Sequence, residues 1–234
     1  MKANNYIIIA LIAAIAFACL GESGNKIQVG NYPGVVGRHG DSVFIYLKGN
    51  ERVYAATGAG SLNPNDCVLI DFLLDYSKAE NADSGRIKGF LTIDLRRAAP
   101  VQQFPLLTVE QDTLTAMPGE RMLLAALGQH AFIKDKFFFF TSHPADSLPL
   151  QFDLYCDLQS PRIDNVYDLY LRIAPVPEAQ KATQAVNRTT AFALDALSSR
   201  EADSLFFRIR YVNRINEQPP TLSWAATEVY RFGK

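Results

Sequence analysis

The chain has 234 residues, with 23 Lys+Arg against 24 Asp+Glu and a formal net charge of −1. A near-neutral balance with no basic run lacks the electrostatic footprint of a nucleic-acid binder, so no nucleic acid is expected as a partner. Only three cysteines occur, none in a CxxC or other metal-ligand spacing, so no metal and no cofactor is expected.

The N-terminus carries an address. Lys2 is the only charge before Glu22, and Tyr6–Leu20 is apolar throughout. A short positive flank and an apolar run of this size form a secretory signal, since a spanning helix needs roughly 20 apolar residues. Residues 1–18 read as the signal peptide. Small side chains at Ala16 and Ala18 suit a signal peptidase, and cleavage after Ala18 leaves Cys19 first in the mature chain. Ala16-Phe17-Ala18-Cys19 resembles the last four positions of a bacterial lipobox. That resemblance implies lipidation at Cys19, a membrane partner through an N-terminal lipid anchor, and a place in the cell envelope, at the outer membrane of a Gram-negative bacterium. At ~0.8 kcal/mol per buried methylene, two acyl chains already hold a protein stably on a membrane. Residues 19–30 read as a tether.

The mature chain reads as β almost throughout. GVVGR (34–38), SVFIYLK (42–48), RVYAAT (52–57), CVLIDFLLDY (67–76) and RIKGFLTIDL (86–95) are predicted strands, with Gly49-Asn50 as a hairpin signal. Five short strands in this length suit a small closed barrel of the OB type, placed at 31–98. RRAAPVQQFPLL (96–107), with two prolines and mixed polarity, reads as the boundary. A second domain, 108–234, follows. In it AFI-KDK-FFFF (131–140) predicts a hairpin. LQFDLYCDL (150–158), VYDLYLRIA (166–174), TTAFALDAL (189–197), SLFFRIRYV (204–212) and SWAATEVYRF (223–232) predict strands. In SLFFRIRYV, Leu205, Phe207, Ile209 and Tyr211 alternate with Arg208 and Arg210. The expectation is an all-β protein, a small OB-like barrel followed by an antiparallel β-sandwich. Residues 118–129 fit a helical or a strand face, with strand preferred, and 177–186 fit a short helix or a loop.

The pieces SVFIYLKGNERVYAATGAGSLNPNDCVLIDFLL, RIKGFLTIDLRRAAPV, HAFIKDKFFFF and TAFALDALSSREADSLFFRIRYV, in this order behind a lipoprotein signal, resemble the NigD-like proteins of Bacteroides and its relatives. The resemblance implies an envelope lipoprotein with an OB-like domain and a sandwich. It supplies no mechanism. Four further stretches, Asp41-Ser42-Val43, Asp112-Thr113-Leu114, Asp146-Ser147-Leu148 and Asp203-Ser204-Leu205, resemble the O-glycosylation acceptor of exported Bacteroides proteins. They make Ser42, Thr113, Ser147 and Ser204 candidate glycan sites, although Asp-Ser is also ordinary turn chemistry.

Catalytic constellations are hard to find. His39 and His143 sit in turns and His130 precedes a strand, with no HExxH between them. No G-x-S-x-G elbow occurs, and Gly58-Ala59-Gly60-Ser61 lacks the following Lys of a phosphate loop. Asp71 and Asp75 share a predicted strand face, as outward carboxylates or as an acid pair. An exported protein could pair Cys67 with Cys156, but each reads more easily as a buried hydrophobe in its own core. Phe137–Phe140 place two rings on each sheet face, so the outer pair needs cover from the first domain, a loop or a partner. Tyr155, Tyr167 and Tyr170 read as outward rings suited to glycan or protein contact. The reading is a non-catalytic cell-envelope lipoprotein that binds a protein or glycan, or assembles into a surface structure. The alternative is a hydrolase of unrecognised type acting outside the cytoplasm.

Overall fold

A computed structural model describes residues 24–58, 60–81, 90–109, 129–143, 150–157, 166–176, 186–198, 204–217 and 220–233. The chain divides into two units, Met1–Val101 and Gln102–Lys234. Among the described residues no helix is long and apolar enough to cross a membrane.

The first unit is a closed barrel of β1 (Lys26–His39), β2 (Ser42–Tyr46), β3 (Arg52–Thr57), β4 (Cys67–Asp75) and β5 (Leu91–Pro100), in the order β1-β2-β3-β5-β4. β1 is long enough to serve both seams. Its first half pairs with β4, from Lys26↔Asp75 to Val35↔Cys67, and its second half with β2, from Val35↔Tyr46 to His39↔Ser42. Between Val29 and Tyr32 the register shifts. Asn31 there adopts φ 52°, and its N–H donates to Asp71 Oδ1 at 2.6 Å. Such a bulge bends the strand and lets it turn the corner of the barrel. Val36, Ile45, Val53, Ile70, Phe72, Ile93 and Leu95 fill the interior. Residues 26–30 are therefore strand, correcting their assignment to the tether. Val29 is buried opposite Phe72, and this burial recruits the segment.

The second unit contains β6 (Gln102–Thr108), β7 (Gln129–Ile133), β8 (Lys136–His143), β9 (Leu150–Cys156), β10 (Val166–Pro175), β11 (Val186–Ala193), β12 (Ser204–Glu217), β13 (Pro220–Ala226) and β14 (Tyr230–Gly233). They form one nine-stranded sheet in the order β13-β12-β10-β9-β6-β11-β8-β7, with β14 beside β13 on the same edge of β12. The pairs β6–β11, β6–β9 and β10–β12 are parallel and the rest antiparallel. The sheet curls on itself. Phe132 of β7 touches Phe207 of β12 at 5.0 Å between ring centroids, and Phe232 of β14 at 5.9 Å. Phe137, Phe139, Phe152, Phe192, Leu169 and Ile209 pack inside this curl. The all-β class and the small barrel are as the sequence predicts, while the second unit, expected as an antiparallel sandwich, is one curled sheet with three parallel pairs.

Several local expectations change. Residues 96–107, read as the boundary, contain the division of the units between Val101 and Gln102, but they are strand on both sides of Val101, with Pro100 and Pro105 opposite Val68 and Ala193. Asp195–Ser198, inside a predicted strand, is one helical turn. The predicted terminal strand splits at Thr227, whose N–H donates to the Ile209 carbonyl between β13 and β14. Of the two ambiguous stretches, 118–128 and 177–185 lie outside the described residues.

Candidate functional site

The outward face of the second unit's sheet carries a set of aromatic and charged groups across β9, β10, β12 and β13. Along β10, Tyr167, Leu169, Leu171 and Ile173 point into the core, so Asp168, Tyr170 and Arg172 point out. Register then builds cross-strand rows. Tyr155 on β9 is opposite Tyr170, which is opposite Arg210 on β12. One step away, Asp168 is opposite Arg208, and on the other side Asp153 is opposite Arg172. Trp224 on β13 meets Tyr170 edge-to-face at 5.5 Å between centroids. All three rings are partly exposed.

The charges hold one another in place. Arg208 Nε donates to Asp168 Oδ1 at 2.5 Å, and Arg210 Nε lies 2.8 Å from Asp168 Oδ2. Burial alone would raise the Asp168 carboxyl, but the two guanidiniums override it and hold it below the usual aspartate value. Tyr155 moves the other way, raised by burial and then by the Asp153 charge. Gln151 Nε2 donates to Asp153 at 3.1 Å. The result is a platform of amphipathic rings beside planar polar groups already locked in position. Its chemistry is contact: ring faces for apolar surface, guanidinium and carboxylate edges for hydroxyl or amide partners.

Two of the three tyrosines read from the sequence lie here. Tyr167 does not. It is 6% exposed and packs with Leu169 and Leu171, because it shares their parity on β10. Trp224, Asp168 and the arginine clamp were not assigned a role in the sequence, although the Arg208 and Arg210 alternation in SLFFRIRYV already places both outward. The signal for Trp224 is that it is the sole tryptophan on a strand outside the core.

The remaining candidates are dispersed. Cys19, Thr113 and Ser147 lie outside the described residues. Ser42 opens β2, partly exposed, and Ser204 opens β12 with its backbone paired to Gly233. His39 is exposed beside the β1–β2 turn, and the His143 backbone pairs with Val186. His130 is stacked on Phe137 at 5.8 Å and edge-on to Tyr230 at 6.0 Å, inside an aromatic cluster. Asp71 and Asp75 each hold local partners. Asp71 accepts from Asn31 and lies 3.4 Å from Arg97, while Asp75 accepts from the Ser77 backbone and hydroxyl. Cys67 and Cys156 are buried in different units and are not joined. Among the described residues no three His, Cys, Asp or Glu side chains are grouped to hold a metal ion.

Residues 24–99 match the family model described as a lipoprotein OB domain. No curated protein matches the chain. Among solved structures, an uncharacterised protein from Parabacteroides merdae is similar over 88% of this chain and 98% of its own, at 17% identity and a TM-score of 0.59. A candidate lipoprotein from Bacteroides fragilis is similar over 85% and 96%, at 12% identity and a TM-score of 0.51. A NigD-like immunity protein from Bacteroides caccae is similar over 88% and 94%, at 11% identity and a TM-score of 0.50. At these identities the structural likenesses speak for the fold, and the sequence match speaks for the first unit.

Proposed function

We propose, from the premise that residues 24–99 are a lipoprotein OB domain, that the protein is a non-catalytic lipoprotein of the cell envelope whose second unit binds a protein or glycan. The observation that carries the envelope reading is adjacency. The matched domain begins five residues after the Ala16-Phe17-Ala18-Cys19 stretch, where a lipidated cysteine would leave only a short link. The binding reading rests on the Tyr155–Tyr170–Trp224 platform and its Asp168 clamp. Partly exposed rings beside pre-positioned guanidiniums lose little conformational entropy when a partner docks.

His130 and His39 support contact over hydrolysis. His130 is committed to aromatic packing, and His39 stands exposed at a turn apart from Asp71 and Asp75, which are engaged locally. Two experiments test the proposal. Cys19→Ser should release the protein from membranes and abolish palmitate labelling, and a mutant that still pellets like wild type overturns the anchor. Tyr170→Ala with Trp224→Ala should abolish retention on glycan arrays or on envelope-protein baits while leaving the thermal midpoint nearly unchanged. Undiminished retention in a folded double mutant would remove the platform from the account.

A further inference from the structure

The barrel carries a second aromatic cluster, on its outer surface. Phe44 on β2 and Tyr54 on β3 are register partners, 5.6 Å apart between ring centroids. Phe90, immediately before β5, closes a triangle with them at 5.3 and 5.9 Å. Alternation explains the direction. Val43, Ile45, Val53 and Ala55 line the core, so Phe44 and Tyr54 face away from it. All three rings are partly exposed.

Their place in the barrel is informative. Lys26 pairs with Asp75, and Leu74 pairs with Ile93, so the first residue of β1 and the start of β5 share one end of the barrel. Phe90 is at that end, Tyr54 lies opposite Thr92 and Phe44 opposite Gly37, so the aromatic face begins at that end and runs up the β5–β3–β2 wall. β5 then carries the chain to the opposite end, where Pro100 pairs with Val68. Residues 20–25 are all that separate Cys19 from β1. At 3.3–3.6 Å per residue, that link reaches roughly 25 Å at most. A barrel held this close to an acyl anchor keeps its entry end at the membrane surface.

We propose that the Phe44–Tyr54–Phe90 face rests on the headgroup region of a phospholipid bilayer and orients the barrel there. The proposal depends on the reading of Cys19 as the lipid anchor. Aromatic rings with one apolar and one polar aspect favour that interface. Among the described residues the charges around this end mix signs, with Lys26, Arg52 and Lys78 against Glu51, Glu80 and Asp94. The contact is therefore one of rings with the interface, and it should be indifferent to anionic lipid and to salt.

The sole tryptophan, Trp224, makes a clean optical test. The full chain is prepared with Trp224→Phe and with a reporter at Phe44→Trp, Tyr54→Trp or, as a control on the β4 wall away from the three rings, Leu69→Trp. Each is placed in phosphatidylcholine vesicles whose acyl chains are brominated near the headgroup, and the mass of the Cys19 peptide is measured in parallel. With the lipid on Cys19, emission at positions 44 and 54 should be quenched and shifted to the blue, and emission at 69 should not. Lipidated protein with neither 44 nor 54 quenched, or with 69 quenched equally, overturns the proposal alone. Protein lacking lipid at Cys19 overturns the anchor reading, and this proposal with it. If Phe44→Trp fails to fold, Tyr54→Trp carries the same decision.

Discussion

The Lys136 ammonium, buried at the start of β8, donates to the Asp195 carboxylate 3.2 Å away and 59 residues along the chain. It also donates to Asp135 at 2.9 Å. Burial works against its charge, yet the two carboxylates hold its pKa above the ordinary lysine value. A base with a raised folded pKa contributes stability that is complete below the unfolded value and is lost as pH rises through the folded one. The window is alkaline, above about pH 10.5. Lys136→Met should cost about 1–3 kcal/mol at pH 7. Urea melts from pH 9 to 11.5 should show a stability decline in wild type whose Lys136 part is absent in the mutant. Parallel curves would remove Lys136 from the account.

Asp168 supplies the opposite limb. Its folded pKa is depressed by Arg208 and Arg210, so its contribution is present above the unfolded value, near 3.9, and is lost as pH falls through the depressed one. Asp168→Asn should flatten the stability curve below about pH 4. It should also loosen Arg208 and Arg210 and weaken capture by the platform. Thermal midpoints from pH 2 to 7 measure the first effect, and the retention assay measures the second.

Thr190 on β11 is 1% exposed, opposite Phe139, and its hydroxyl has no hydrogen-bond partner among the described residues. Thr190→Val keeps the β-branched shape and removes the unsatisfied group. It should stabilise by about 1 kcal/mol, read as a higher urea midpoint at unchanged slope. A loss of stability would mean that the hydroxyl is engaged.

Gly58 and Gly40 separate two costs of a Cβ. Gly58 has φ +80°, and a Cβ there would stand 2.7 Å from the Leu95 carbonyl oxygen. Gly40 has φ +58° with nothing within 4 Å. Gly40→Ala should cost about 1–2 kcal/mol, the left-handed strain alone. Gly58→Ala should cost more, since a backbone oxygen must also move. Equal losses in chemical denaturation would refute the steric part.

The run Phe137–Phe140 predicts an unequal outer pair. Phe138 is fully buried, and Ala131 and Ala191 lie opposite it on the two neighbouring strands, leaving room for its ring. Phe140, between Gln129 and Thr189, is only partly buried. Phe138→Ala should cost about 3–5 kcal/mol. Phe140→Ser should cost well under half of that in the same denaturation series. Similar losses would contradict the asymmetry.

What could be read along the chain was whatever local pattern controls. Strand parity groups Leu205, Phe207 and Ile209 on one face, the face that is buried, because a period of two sends alternate side chains to opposite faces regardless of partner. The same parity applied to VYDLYLRIA puts Tyr167 inside with Leu169, against the expectation of an outward ring. The candidate site itself was half legible. Tyr155 and Tyr170 could be named, but not that they are register partners, nor that Arg208 and Arg210 close on Asp168, 40 residues away. Register between strands distant in sequence depends on how the whole sheet curls and on which edges meet, and no local segment encodes it. The same holds for Lys136 and Asp195, and for the long first half of β1, which folds as strand only because Phe72 and Leu74 of β4 lie opposite Val29 and Ile27.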